Sequence, residues 1–223
     1  MRVFFEKERA LVYDNFISKW MPGYHTFMSM LPFVLLREKA AIYKVLIAGC
    51  GTGNELLALN GQHPDWRLTG IDPSAGMIEI GLQKTGNLKN IEMLVGTIDQ
   101  LPKDVLYDAG VLSLVLHFLS DDGSKQKLLQ EVVDRLHPKA SLVLCDVFGT
   151  KDELNRNLDL LSYIVTEGEA ITPEIQSRLD RIATEFHYIP EERLEILFKE
   201  VGLSSPQRFF QSTIYGGWIA TKR

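Results

Sequence analysis

Cysteine is scarce in this 223-residue chain. The two present, Cys50 and Cys145, both sit in apolar strand-like runs, so no disulfide framework is expected and both thiols should stay reduced. Long apolar runs are missing as well. The longest uncharged stretch, 20–36, is interrupted by Pro22, Gly23, His25 and Pro32, and a membrane span needs about 20 predominantly apolar residues. Glu6, Lys7, Glu8 and Arg9 break the N-terminal segment where a secretory signal would carry its apolar core. These absences point to the cytoplasm and to no membrane partner. Basic charge is not in excess either: the net charge of -5 argues against a nucleic-acid partner, because such binders present a basic face. No His, Cys or Asp cluster has metal-ligand spacing, and Ser113 lacks the flanking glycines of a nucleophile elbow. The remaining composition, 45% hydrophobic and 24% charged, is that of an ordinary globular protein. Its length allows one large domain or a domain with an appendage.

What is present is organised around residues 45–55, VLIAGCGTGNE. Apolar residues run into three glycines at alternate positions, Gly49, Gly51 and Gly53, and Glu55, Leu56 and Leu57 open a helical pattern. A buried strand, tight turn and helix start form a loop suited to a nucleotide-like cofactor. Glycine reaches backbone angles closed to other residues and leaves bare backbone against a ligand. In a dinucleotide fingerprint the third glycine lies three positions after the second, where the helix N-terminus meets a pyrophosphate. Here that position is Asn54. A cofactor without phosphate suits the spacing better, which counts against an NAD-dependent dehydrogenase.

From residue 44 the pattern alternates: strands at 44–48, 66–71, 91–95, 107–114 and 141–148, and helices at 54–60, 74–85 and 124–136. Runs such as 109–116 and 142–148 are apolar throughout, as in strands buried on both faces of a parallel sheet. Two strand-like runs, 208–211 and 214–220, close the chain as an edge hairpin. The expected fold is therefore α/β: a doubly wound, Rossmann-like, seven-stranded sheet with a helical insertion after the fifth strand and a C-terminal antiparallel hairpin. Residues 1–41 read as two helical pieces joined at Met21-Pro22-Gly23-Tyr24, forming an N-terminal cap. Residues 149–203 read as a charged helical lid, with no Ser/Gly-rich linker to separate it. One domain is expected: cap 1–41, cofactor-binding core 42–148, lid 149–203 and edge hairpin 204–223.

An acid is expected about 20 residues beyond the glycine loop, at the end of the second strand, to hold ribose hydroxyls. Asp72 stands there, before Pro73; the alternative is that it only caps the helix beginning near Ser74. His117 follows the fourth strand, where it would serve as a base near neutral pH, or merely be satisfied by backbone or solvent. Tyr13 and Tyr24 divide between cap packing and a substrate wall. His187 and Tyr188, before Pro190, are candidates to descend from the lid onto an acceptor, with lid packing the alternative. The charges at 151–156, 191–193 and 199–200 read as a solvated helix face.

The strings VLIAGCGTG, GIDPSAGMIE, LVGTIDQLP, YDAGVLSLVLHFL and LLQEVVDRLHPKASLVLCDVF, in this order over roughly 44–148, resemble the motif set of class I S-adenosylmethionine-dependent methyltransferases. The resemblance implies S-adenosyl-L-methionine as cofactor. Gly49, Cys50, Gly51 and Gly53 would pass under its methionyl part, and Asp72 with Pro73 would hold the ribose. Met77 would lie by the adenine, Thr97 and Ile98 along its edge and face, and Ser113 and Leu114 by the methionine moiety and reacting sulfur. Two positions depart from the family pattern. Ile47 stands where an acid is usual before the glycines, and Thr97 where an Asp usually accepts the adenine amino group, although Asp99 lies close by.

The ends of the chain, Tyr13-Asp14-Asn15-Phe16 through Pro22-Gly23-Tyr24 and the tail 197–220, are similar to the carboxy-S-adenosylmethionine synthase group and its unassigned methyltransferase relatives. That likeness makes Tyr24 a cofactor-contacting candidate. In those synthases an arginine in the helix before the Phe-x-x-x-Gly turn pairs with the extra carboxylate; here Leu197 occupies the place, with Arg193 one helical turn away. The favoured expectation is a methyltransferase acting on a small molecule, with no catalytic residue assigned and a homodimer left open. The alternatives are a carboxy-S-adenosylmethionine synthase-like enzyme of tRNA wobble-uridine modification and a non-catalytic S-adenosylmethionine-binding module.

Overall fold

Strands β1 (Lys44–Ala48), β2 (Arg67–Asp72), β3 (Ile91–Val95), β4 (Tyr107–Ser113), β5 (Leu136–Val147), β6 (Gln207–Ser212) and β7 (Tyr215–Thr221) form one sheet in the order β3-β2-β1-β4-β5-β7-β6. The computed structural model describes residues 7–37 and 42–223; the rest of the expected N-terminal cap, and Glu6 with it, lies outside them. β1 to β5 are parallel, while β7 enters antiparallel between β5 and β6. This is the doubly wound sheet with a terminal hairpin expected from the alternating pattern. The strand order reverses between β1 and β4, which opens a crevice at their carboxyl ends.

Both faces of the sheet are apolar because residues of opposite parity both belong to buried clusters. Val45 and Ile47 of β1 join one cluster with Val111, Val143 and Val147; Leu46 and Ala48 join the other with Leu112, Leu142 and Leu144. The first face carries α1 (Lys7–Trp20), α2 (Tyr24–Leu36), α3 (Asn54–Gln62), α6 (Lys151–Val165) and α7 (Pro173–Glu185), with Ile78 of α4 (Ala75–Thr85). The second carries α5 (Ser124–Asp134) and α8 (Glu191–Glu200) through Leu129, Val132, Leu194, Leu197 and Phe198.

The helical stretch after β5 thus divides. α6 and α7 lie on the side of α1 and α2, where Arg178 of α7 stacks over Phe16 at 4.1 Å, whereas α8 packs beside α5 on the opposite face. The cause is visible in α8, whose Leu194, Leu197 and Phe198 form a strictly buried stripe. Glu191 is also not the solvated charge expected of it, since it accepts from Trp218 Nε1 at 2.6 Å and from Arg208 at 3.0 Å. β5 starts earlier than the expected 141. Its pairing with β4 begins at Leu136 and absorbs an irregularity around Lys139, whose φ is 65°. Among the described residues no helix is long and apolar enough to cross a membrane.

Candidate active site

The glycine loop leaves β1 at the reversal point. Gly49 N and Cys50 N both donate to Ile71 O, at 2.8 and 3.1 Å, so the loop starts as a continuation of the β1–β2 ladder. Gly49 has φ of 68°, and a Cβ on it would lie 2.4 Å from Val115 Cγ2; a side chain is excluded there by both backbone and space. Gly51 has only the Met77 methyl, at 4.0 Å, near its missing side chain, leaving its backbone open to a ligand. Cys50 turns away from the loop, its thiol packed over Gly70. It can offer a ligand backbone only, and burial pushes its thiol well up.

Asp72, at the tip of β2, fastens two turns at once. Its Oδ2 accepts from Gly51 N at 2.9 Å and its Oδ1 from Ser74 N at 2.8 Å. Burial raises its pKa, and those two amides oppose the rise. The helix N-cap is Ser74, whose hydroxyl accepts from Met77 N at 3.3 Å. Asp72 therefore supports the turn into α4 as well as the loop across the crevice. Pro73 is exposed, and Met77 is buried against Ala10 and Ile80 with Tyr13 alongside.

The N-terminal helix reaches the loop through a polar network. Asp14 accepts from Thr52 Oγ1 at 2.6 Å, Asn54 Nδ2 at 2.9 Å and Lys84 Nζ at 2.7 Å. Lys84 also donates to Asn54 Oδ1. Asn54, the residue that displaced the dinucleotide glycine, donates to Tyr24 Oη at 2.9 Å. Tyr24 is held there by the left-handed Gly23 at the α1–α2 turn, with φ of 81°. Among the described residues, Lys84 is the cation joining α1, the loop and α4 in this network. Lys84→Ala is expected to speed amide exchange in α1 roughly tenfold while β1 and β4 keep their protection; hydrogen-exchange mass spectrometry reads this, and an unchanged α1 would refute the latch.

Glu55, in the first turn of α3, is 7% exposed. Burial raises its pKa to about 7, against the pull of its own backbone amide, Lys84 and Ser113. The Ser113 hydroxyl lies against it without closing a hydrogen bond of sound geometry. Spacing did not single out Glu55 as a site group, because an acid in a first helical turn ordinarily reads as a partner of the helix dipole.

Beyond Ser113 the backbone is strained. Leu114 has φ of 58°, a conformation that costs a non-glycine residue about 1–2 kcal/mol. The surroundings hold it: Leu114 N donates to Cys145 O at 2.7 Å, and Val115 N and Leu116 N donate to Asp146 Oδ2 at 3.0 and 2.7 Å. Asp146 Oδ1 meets His117 Nδ1 at 2.7 Å and accepts from Val147 N at 2.7 Å. Burial pushes the Asp146 carboxyl up, but His117, Lys125 and the Val147 amide prevail and hold it below the usual aspartate range. His117 is 4% exposed and packs between Phe118 and Phe186, with ring centroids at 4.0 and 4.2 Å. Lys125, 1% exposed, bridges Leu116 O and His187 O at 2.5 Å each.

The segment before α8 thus reaches His117 with Phe186. The side chain of His187 is exposed and only its backbone takes part, while Tyr188 packs on the first core cluster. At the adenine end, Ile98 is buried and Thr97 exposed; Thr97 N donates to Gln100 Oε1 at 2.9 Å, and its hydroxyl holds Asp99 below the usual range. Leu197 is fully buried beside α5, and Arg193 is tied to Asp121 at 2.8 and 3.1 Å and to Glu200 at 3.6 Å.

Residues 45–139, from β1 into β5, match the family model of the methyltransferase domain. Over that stretch the chain is similar to a methyltransferase domain. The chain is 26% identical over 227 residues to carboxy-S-adenosyl-L-methionine synthase 1 of Yersinia pseudotuberculosis, covering 96% of this chain and 92% of that one. It is 29% identical over 156 residues to the carboxy-S-adenosyl-L-methionine synthase of Klebsiella pneumoniae, covering 66% and 61%. Among solved structures, the plantazolicin methyltransferase in complex with SAH superposes with a TM-score of 0.70 at 15% identity, over 97% of this chain and 90% of that one. Magnesium protoporphyrin IX methyltransferase from Synechocystis gives 0.67 at 16% identity, over 93% and 88%. These likenesses are ones of fold.

Proposed function

We propose that the protein transfers a methyl group from S-adenosylmethionine to a small-molecule acceptor. The observation that carries this reading is the joint made by Gly51 and Asp72 at the strand-order reversal, where a ligand's ribose would meet a fixed carboxylate beside bare backbone. The donor set fits the cofactor: an open glycine backbone for the methionyl part, Asp72 for two hydroxyls, Met77 and Ile98 as apolar walls, and Ser113 beside the buried Glu55. When bound, S-adenosylmethionine supplies an electrophilic methyl on a sulfonium.

The chain's own residues would position and enclose. α1, α2, α6 and α7 share one face of the sheet, and Asp14 and Tyr24 tie the first two of these helices to the glycine loop. Alignment of acceptor and methyl in a closed site corresponds to effective molarities worth roughly 7–11 kcal/mol, so no dedicated base is required unless the acceptor must lose a proton. His117, fixed by Asp146, is the imidazole nearest the end of β4 should one be needed. The acidic net charge of -5 favours a small acceptor over RNA.

The likeness to carboxy-S-adenosylmethionine synthases along the whole chain supports a second reading. Against it, Leu197 stands in the core and Arg193 is paired with Asp121 and Glu200, which leaves neither to meet an extra carboxylate. Calorimetric binding of S-adenosylmethionine and S-adenosylhomocysteine, followed by mass spectrometry of the cofactor with prephenate present, separates the readings. Binding without prephenate-dependent mass gain supports methyl transfer; carboxylated cofactor establishes the synthase; absence of binding ends both.

A further inference from the structure

We infer that Lys125 is a positioning residue that couples the helical excursion 150–188 to the turn after β4, so that the helices over the sheet and the turn beside the proposed cofactor tighten and loosen as one unit. The coupling follows from hydrogen bonds in the structure; its response to a ligand rests on the cofactor reading above.

The excursion carries α6 and α7 and closes at a narrow neck. Phe148 pairs with Ile189 in a parallel bridge, and Gly149 N donates to Ile189 O at 3.0 Å. Both ends of the neck suit a hinge, which is commonly a few element-terminal residues that absorb the backbone change. Gly149 has φ of 125°, a conformation open to glycine and strained for a side chain. Pro190 fixes the entry to α8.

The returning limb is tied to the turn after β4. His187 N donates to His117 O at 2.8 Å, and Lys125 Nζ donates to both Leu116 O and His187 O at 2.5 Å. Leu116 is thus held from two sides, its N–H by Asp146 and its carbonyl by Lys125, just beyond the strained Leu114. Lys125 rides on α5, which Leu129, Val132 and Val133 anchor in the second core cluster. One cation on an anchored helix therefore grips both segments.

The grip acts jointly because of where the ammonium lies. Lys125 is 1% exposed and lines a small cavity whose other walls include Leu144, Ile189, Leu194 and Trp218. A buried ammonium is tolerated while its donors are met. Once His187 O departs, the bond to Leu116 O alone no longer compensates for burial, and the side chain withdraws from both.

Hydrogen-exchange mass spectrometry of the full chain tests this in two ways. In the wild type under mild urea, peptides covering 114–118 and 185–189 should open with one shared urea dependence; separate openings overturn the coupling, and no variant is needed. Lys125→Met should speed exchange in both peptides by roughly 10- to 100-fold, the range for a hydrogen bond to a charged group, while β1 and β2 stay protected as the sign of a folded protein. Lys125→Arg, which keeps the donors, should recover part of that protection. S-adenosylhomocysteine should slow exchange at 49–53 and at 150–188 in the wild type, and at 49–53 alone in Lys125→Met. A lysine that only stabilised the fold would leave those two responses linked. Ligand protection that still reaches 150–188 in Lys125→Met, or that stops at 49–53 in the wild type, therefore overturns the positioning role. If S-adenosylhomocysteine protects neither segment of the wild type, the cofactor reading fails, and the urea experiment decides the coupling by itself.

Discussion

Asp72→Ala is expected to raise the dissociation constant for S-adenosylhomocysteine by roughly 100-fold or more, as two hydrogen bonds to a charged acceptor are lost at about 1.5–3 kcal/mol each. The carboxylate spends one lone pair per oxygen on Gly51 N and Ser74 N, at 2.9 and 2.8 Å. An ionised carboxylate has about four acceptor sites, so it retains capacity for two ribose hydroxyls. The same contacts mean that alanine also loosens the glycine loop and the entry to α4. Thermal melting separates the two effects. A fall of only a few degrees together with lost binding supports the ligand role, and intact binding in a folded Asp72→Ala protein would defeat the cofactor assignment at its centre. Asp72→Asn should show the intermediate case, because its amide oxygen can still accept from one backbone N–H.

Asp146→Ala should destabilise the protein by about 3–5 kcal/mol, the range for breaking a buried charged pair. For a chain of this size that corresponds to a drop in Tm of roughly 6–20 °C. Four groups lose their acceptor together: Val115 N, Leu116 N, Val147 N and His117 Nδ1. Val115 and Leu116 follow the left-handed Leu114, so the strain at the end of β4 would also lose its restraint. The pH dependence has a defined sign. Because Asp146 is held below its ordinary pKa in the folded protein, its stabilising contribution is complete above the unfolded aspartate value and is lost as pH falls through the folded one. The wild-type Tm should therefore fall on acidification below the usual aspartate range, and Asp146→Asn should show a shallower fall. A Tm within 2 °C of wild type for Asp146→Ala would be incompatible with this role (about 1 kcal/mol or less).

The two predictions differ in how far their residues were legible in the chain. Asp72 was legible because sheet geometry fixes the distance from a glycine loop to the end of the next strand, and spacing survives in a linear sequence. Asp146 was not legible: it sits within the run LVLCDVF, which reads as a buried strand, and its partner His117 is 29 residues away in sequence. Nothing in either local pattern joins them. Lys125 lies in the polar opening of α5, SKQK, where a lysine ordinarily faces water; it is buried because the segments at 116 and 187 converge on it. His187 and Tyr188 stood as candidates to descend onto the acceptor, with lid packing the alternative; Tyr188 packs on the first core cluster, and the chain direction before α8 delivers Phe186 to His117.

The sequence by itself determined the architecture: the order of strands and helices, the glycine loop, the acid at the tip of β2 and the edge hairpin. These are written in local periodicity and in short spacings set by backbone geometry. Tertiary structure alone decided which polar groups share a pocket. It brought Asp14 of α1 onto the glycine loop, buried Glu55 in the first turn of α3, removed Leu197 to the opposite face and paired His117 with Asp146. Such pairings depend on contacts between segments tens of residues apart, where burial and neighbouring charge give an ordinary acid its chemistry.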